Sequence, residues 1–395
     1  MELTLDSKLT SFEHRPRTGL LYGPGAIERV PELLREAGAK SLLLVTDPGI
    51  VQAGHAQRLR RMLEDGGFEI LVYDGVEENP STRCVRECAA TVQGREIDWI
   101  VALGGGSPID AAKGCNFLIT NGGRIEDYRG SGKAAHPLKP MVAIPTTAGT
   151  GSEVQRFALI SDKKTRQKMA CGDPSAAPKL AVLDPVLTLT QPFSVAACTG
   201  IDTLAHAVET AVTRDRNAFS LMFSHQAFRF AVEAFPSVLR TPNDLEARGR
   251  MLLAATFGGL AIENSMLGAA HSAANPLTTR FGIVHGQAVG MMLPWIVRHN
   301  AEDPEALEGY RTLAQAAGLA GPDDPPDRAF ERLRLRLEEM LRLAGFPGSL
   351  RECGVDRSQI ADLAEEAAGQ LTAQFNPRPM QQADFESIYQ AAWVG

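Results

Sequence analysis

Between residues 99 and 113 an apolar run, WIVAL, passes without interruption into GGGS and then into PIDAAK. A strand-length segment that turns on glycines and reopens as a helix is the unit from which parallel sheets are built. The same alternation recurs throughout the first half of the chain. Residues 41–46 (SLLLVT), 69–73 (EILVY), 99–103 (WIVAL) and 141–145 (MVAIP) are short, apolar and bounded by Gly, Pro or Asp. A helical pattern at 27–37 precedes the first of them, and others at 56–64 and 83–93 separate the first three. Strand then helix, repeated, predicts a parallel sheet covered by helices on both faces.

Past about residue 185 the pattern changes to successive helices, at 202–213, 218–234, 244–262, 288–299 and 326–344. A chain of 395 residues also exceeds one ordinary core. The expectation is an α/β domain over 1–185 and an all-α domain over 186–395. Residues 157–184 read as short strands, FALIS, QKMAC and LAVLD, bridging the two halves around a charged turn at 162–164. The segment 321–326 (GPDDPP) reads as a surface loop within the helical half.

A formal charge of -7 gives no broad attraction for nucleic acid or an anionic membrane, so a small-molecule partner fits better. No apolar run reaches membrane-spanning length, and residues 1–8 carry neither a secretory signal nor a transit peptide. The six cysteines form no CxxC unit or pairing framework, and Cys84 and Cys88 read as structural thiols. Reduced thiols and a cytoplasmic location are expected.

Two turns carry ligand chemistry. Gly104, Gly105 and Gly106 let backbone approach a ligand, while Ser107 is expected to cap the helix, Pro108 to open it and Asp110 to serve as a capping carboxylate. Free N–H groups at a helix start suit a dinucleotide pyrophosphate. Strand MVAIP ends in a second small, hydroxyl-rich run that opens with Thr146 and Thr147, at the strand edge where open α/β sheets bind ligands. Asp47 closes strand SLLLVT, where it would either accept from ribose hydroxyls or cap the helix beginning at Pro48. The first role favours NAD(H) over NADP(H).

In TGIDTLAHAVE, Asp202 and His206 stand four residues apart and share a helix face. His271 (GAAHSAANPL) and His285 (FGIVHGQAV) are flanked by small or apolar residues. Three imidazoles and one carboxylate suit Fe2+, Zn2+ or another divalent ion, with coordination positions left open. The remaining histidines read as structural or exposed.

GGGSPIDAAK, IPTTAGTGSEV, TGIDTLAHAVE and HSAANPLTTRFGIVHG, in this order, resemble the iron-containing (group III) alcohol dehydrogenase family over nearly the whole chain. The resemblance implies a Rossmann-like α/β domain and a C-terminal helical domain, the dehydroquinate synthase-like fold, with cofactor and metal in the cleft between. It implies metal ligands Asp202, His206, His271 and His285, and pyrophosphate contacts from Gly105, Gly106 and Ser107. It places Thr146 and Thr147 along the dinucleotide, Lys168 at a ribose, and Asp47 and Asn79 at the adenosine half. Phe157, Leu159, Ile262, Leu267 and Thr372 are the implied substrate pocket, mainly apolar and fit for a short alcohol or aldehyde. The family often has a further histidine beside the substrate where this chain has Asn275, which contacts substrate but cannot relay a proton at neutral pH. The implied activity is NAD-dependent, metal-dependent oxidation of an alcohol or reduction of an aldehyde by a homo-oligomer, a dimer or larger. One alternative is a reductase of carboxylated substrates of the maleylacetate or hydroxyacid semialdehyde type, using Arg156 and Arg280. Another is a dehydroquinate synthase-like lyase, which would need a Lys and Arg cluster that the helical half lacks around the ligands. A non-catalytic binding protein would require all four ligands to be coincidental.

Overall fold

The computed structural model describes residues 11–162 and 167–395, so residues 1–8 and most of the charged turn at 162–164 lie outside it. The chain forms two compact units. One comprises Pro16–Pro192 with Asn243–Leu252; the other comprises an N-terminal segment ending at Arg15 with Phe193–Pro242 and Leu253–Gly395.

In the first unit the strands are β1 (Gly19–Tyr22), β2 (Ser41–Val45), β3 (Glu69–Tyr73), β4 (Trp99–Gly104), β5 (Gly130–Ser131), β6 (Met141–Pro145), β7 (Phe157–Asp162), β8 (Gln167–Gly172) and β9 (Leu180–Leu183). Its helices are α1 (Val30–Glu36), α2 (Pro48–Gln52), α3 (His55–Asp65), α4 (Thr82–Thr91) and α5 (Gly106–Asn121). Six strands pair in parallel in the order β1-β9-β6-β4-β2-β3. Alternation along β2 explains the layering. Leu42 and Leu44 pack with Leu34 of α1 and Leu59 and Leu63 of α3, whereas Leu43 and Val45 pack with Cys88 of α4 and Ile109 of α5. Each fully buried Leu or Val contributes about 1.5–3 kcal/mol, so both faces of the strand must be apolar.

The four strands read from sequence form within a residue of their expected ends. The segment expected to bridge the halves instead belongs to this unit. β7 and β8 make an antiparallel hairpin in a small sheet with β5, and β9 enters the large sheet between β1 and β6. The helix expected at 27–37 is a 3-10 turn, Ala26–Arg29, followed by α1.

Helices of the second unit are α6 (Phe193–Thr210), α7 (Ala218–Arg240), α8 (Leu245–Ser265, joining it from Leu253), α9 (Ala269–Phe281), α10 (His285–Asn300), α11 (Pro304–Ala316), α12 (Pro326–Ala344), α13 (Ile360–Ala368) and α14 (Gln382–Val394). α6 begins nine residues before the expected start at Asp202, because Gly200 lies inside the helix rather than ahead of it. α7 runs on through Pro236, since Val238 and Leu239 beyond it are buried. α9 escaped the sequence reading: its small residues and internal Pro276 mask the helical period. No single described helix is long and apolar enough to cross a membrane.

Candidate active site

α6 is buried from Ala196 onward along most of its length, yet it carries Asp202, His206 and Glu209. Spacings of four and seven residues put all three on one face. Charged groups on a buried helix require partners, and α9 and α10 supply them. His271 lies in the first turn of α9, and His285 is the first residue of α10. α10 packs close to α6 because Gly286 has no side chain: a Cβ there would stand 2.0 Å from the carbonyl oxygen of Cys198.

The result is a convergence on one carboxylate oxygen. Asp202 Oδ1 lies 3.5 Å from His206 Nε2, 3.3 Å from His271 Nε2 and 3.8 Å from His285 Nε2. The His206 and His271 rings stack with centroids 4.9 Å apart. One potential ligand atom from each of Asp202, His271 and His285 falls within 4.8 Å of the others. Two donors each about 2.1 Å from one ion stand about 3.0–3.5 Å apart at the angles of tetrahedral or octahedral coordination. The distances of His206 and His271 from Asp202 match and that of His285, 3.8 Å, is slightly longer, so Asp202, His271 and His285 could hold a divalent cation, with His206 beside Asp202 but outside that group of three. His285 is the most open of the imidazoles, at 23% exposed against 5% for His206 and His271.

Electrostatics agree with a cation-seeking centre. Burial alone would raise the Asp202 carboxyl, but His206, His271 and His285 outweigh it and hold the group well below the usual carboxylate range. Burial likewise opposes charge on His271, yet Glu209 and Asp202 raise that imidazole to about 9. Without a metal, this ring keeps a proton between two carboxylates, in the place a cation would take. Glu209 was not singled out from sequence; its seven-residue offset from Asp202 on a buried helix was the available signal.

The glycine turn lies where the strand order reverses, between β4 and β2. α3, which follows β2, covers one face and α5, which follows β4, covers the other, while β2 and β4 are neighbours. Ligands of open α/β sheets bind at such a switch point. Asp47 Oδ1 accepts from Ile50 N at 3.0 Å, capping α2, while Oδ2 lies 3.1 Å from where a Gly104 Cβ would be. The capping role therefore exists and leaves one oxygen over. Asn79, in a left-handed conformation with φ 51°, donates its N–H to Ser107 Oγ at 3.2 Å. Thr146 Oγ1 is buried without a hydrogen-bond partner among the described residues, as suits a group that meets a ligand.

Three details of this turn depart from expectation. The cap of α5 is Gly105, not Ser107. Asp110 turns inward, accepting from Ser152 Oγ at 2.5 Å and Leu159 N at 3.1 Å, instead of capping the helix. Gly105 and Gly106 make room for neighbouring side chains: a Cβ on Gly105 would meet Thr147 Oγ1 at 3.2 Å, and one on Gly106 would meet Thr150 Cγ2 at 2.7 Å.

The other expected residues fall in both units. Lys168 lies on β8 opposite Ser161, with its charge acting on Asp110. The Phe157 ring covers Gly172, and Leu159 is exposed. In the helical unit Ile262 is buried, Leu267 is half-buried and Thr372 shares a 2.7 Å hydroxyl contact with Ser272, a polar feature in a lining expected to be apolar. Asn275 Nδ2 donates to Gln370 Oε1 at 3.2 Å. Arg280, considered as a carboxylate binder, is already paired with Glu366 at 2.6 Å and Asp362 at 3.2 Å.

Comparison with known proteins extends this description. The family model "Iron-containing alcohol dehydrogenase" matches residues 17–185, and "Fe-containing alcohol dehydrogenase family, C-terminal" matches residues 196–393. The protein is thus an oxidoreductase of alcohols and aldehydes. Within that class, the chain belongs to the iron-containing alcohol dehydrogenase family. It is 32% identical to the 1,3-propanediol dehydrogenase of Klebsiella pneumoniae, with 94% of this chain and 96% of that one covered. It is 30% identical to the NAD-dependent methanol dehydrogenase of Bacillus methanolicus, covering 97% and 100%. Among solved structures, a 1,3-propanediol oxidoreductase superimposes with TM-score 0.91 at 31% identity, covering 96% and 98%. Family membership implies a metal and a nicotinamide-type cofactor.

Proposed function

We propose that this protein oxidises short alcohols or reduces the corresponding aldehydes with NAD(H), using Fe2+ or Zn2+ held by Asp202, His206, His271 and His285. The observation that carries the reading is the approach of three imidazole Nε2 atoms to Asp202 Oδ1 at 3.3–3.8 Å. Bound there, a divalent cation supplies Lewis acidity toward a substrate oxygen, and the nicotinamide supplies or accepts the hydride. The chain's own groups do the rest. Asp202 neutralises charge, and the more open His285 marks the side from which substrate enters. Asn275 orients substrate by hydrogen bonding; because its amide does not titrate, the proton leaves through solvent or a ribose hydroxyl.

Residues 1–185 form the dinucleotide-binding domain in this reading, and residues 186–395 form the metal-binding domain. Gly105, Gly106 and Ser107 receive the pyrophosphate, Thr146 and Thr147 line the dinucleotide, and Asn79 and Lys168 contact its adenosine and ribose parts. The spare oxygen of Asp47 accepts from a ribose hydroxyl and disfavours the 2'-phosphate of NADP(H); the NAD-dependent relative supports this preference. Phe157, Leu159, Ile262, Leu267 and Thr372 line the substrate pocket. All six cysteines are free, which supports a cytoplasmic location, and the protein is taken to work as a homodimer or larger homo-oligomer.

Metal analysis of freshly purified protein, combined with a nicotinamide-linked screen of neutral and carboxylated alcohols and aldehydes, tests the reading. About one divalent ion per chain and turnover of neutral short substrates with NAD(H) are expected, and Asp202→Asn lowers metal content at least about tenfold. Full metal content in that variant, or turnover of carboxylated aldehydes alone, overturns the assignment.

A further inference from the structure

We propose that Glu209 is the positioning residue of the metal centre, fixing both the orientation and the tautomer of His271. The inference rests on the metal reading above and adds a residue to it. Glu209 is 3% exposed and sits two turns after Asp202 on α6. Its two oxygens have different tasks. Oε1 accepts the backbone N–H groups of Ala270, at 2.7 Å, and His271, at 3.3 Å. Oε2 forms a short hydrogen bond with His271 Nδ1.

α9 needs this carboxylate. Its own N-cap is Gly268, which offers no side-chain acceptor, so its first N–H groups are satisfied from elsewhere in the unit. Asn376 Oδ1 takes Ala269 N at 3.2 Å, and Glu209 takes the next two. Gly268 leaves space for both acceptors, since a Cβ there would stand 3.1 Å from Asn376 Oδ1 and 3.2 Å from Glu209 Oε1. The helix N-terminus in turn favours the negative charge of Glu209.

The consequence reaches the opposite edge of the imidazole. A carboxylate only accepts, so Nδ1 must carry the proton in that hydrogen bond. His271 Nε2, 3.3 Å from Asp202 Oδ1, then offers its lone pair to a cation. One side chain thus caps the helix that carries the ligand and sets the ligand's donor atom.

A glutamine separates the two tasks. In Glu209→Gln, Oε1 still accepts from Ala270 and His271, but the amide NH2 now faces Nδ1. That nitrogen must become the acceptor, which moves the proton to Nε2 and blocks coordination. The experiment compares wild type, Glu209→Gln and Glu209→Ala, titrated with Co2+ and Zn2+ against a chelating dye without substrate, alongside Co2+ visible spectra and thermal unfolding of the metal-free proteins. The expected result for Glu209→Gln is a roughly 10–100-fold loss of affinity and an altered Co2+ spectrum, with a metal-free unfolding midpoint that falls, because a buried counter-charge is lost, but clearly less than that of Glu209→Ala, which also loses the helix cap. Glu209→Ala is expected to lose affinity and midpoint together. Wild-type affinity and spectrum in Glu209→Gln would leave Glu209 a helix cap only and overturn the proposal. So would a fall in its metal-free midpoint as large as that of Glu209→Ala. Failure of the wild type itself to bind either ion would instead overturn the metal reading beneath it.

Discussion

Lys113 shows how little a residue's chemistry reveals about its placement. Its side chain is fully buried on α5, where Nζ donates to Ser152 O and Ser152 Oγ at 2.7 Å and to Phe157 O at 2.9 Å, with Asp110 Oδ1 at 3.7 Å. Burial raises the Asp110 carboxyl, and Lys113, the Ser152 hydroxyl and the Leu159 N–H offset part of that rise. The ammonium therefore ties α5 to the segment following the second ligand turn. Lys113→Met leaves Asp110 buried without its cation and is expected to destabilise the protein by about 3–5 kcal/mol, read from the denaturant midpoint. A loss below about 1 kcal/mol would mean that the pair contributes nothing net. From sequence, Asp110 had the position of a cap, and nothing local distinguishes an acid facing an N–H from one facing a lysine below. Glu209 was similarly hidden, since its role depends on α9, 61 residues further along the chain.

At the scale of elements, the close approach of α6 and α10 brings His285 to Asp202. Gly286→Ala would drive a methyl group into the Cys198 carbonyl, so α10 must move outward. Overpacking of this kind costs about 1–3 kcal/mol or more. The variant is expected to unfold earlier and to bind Zn2+ more weakly than wild type, by calorimetry; unchanged affinity would show that α10 need not approach so closely. α7 supports a pH prediction. Burial lowers His225 to about 4 from 6.5, and its Nε2 finds no hydrogen-bond partner among the described residues. The folded state therefore binds this proton less readily than the unfolded chain. Stability is fully present above pH 6.5 and declines as pH falls toward 4, a loss of about 3 kcal/mol from this group. His225→Leu is expected to flatten that acid limb in urea titrations between those limits. An equally steep decline in the variant would assign it to other groups.

For the molecule as a whole, the proposed reading divides the chemistry between the two compact units. The candidate metal ligands lie in the helical unit and the glycine turn in the sheet unit. A ligand that binds only folded protein stabilises it by about 2.7 kcal/mol at a hundred times its dissociation constant. Zn2+ is expected to slow hydrogen exchange in α6, α9 and α10, and NADH to slow it in the turns after β4 and β6. A chelator should reverse the first effect. Protection by Zn2+ elsewhere, sparing α6, would count against the four-ligand centre.

Sequence alone determined what is local. Strand lengths, the alternation that makes a sheet buried on both faces, and the two glycine or hydroxyl turns all follow from neighbours within about ten residues, over which side-chain period and turn chemistry act. The four candidate ligands, spread from residue 202 to residue 285, were singled out only when taken together and by the family resemblance. Tertiary structure decided which distant groups meet. It placed β9 inside the large sheet, turned Asp110 onto Ser152, and packed α10 against α6 through Gly286. It also brought Glu209 under His271. Such pairings arise from shape and from the need of buried charges for partners, and no period along a single element encodes them.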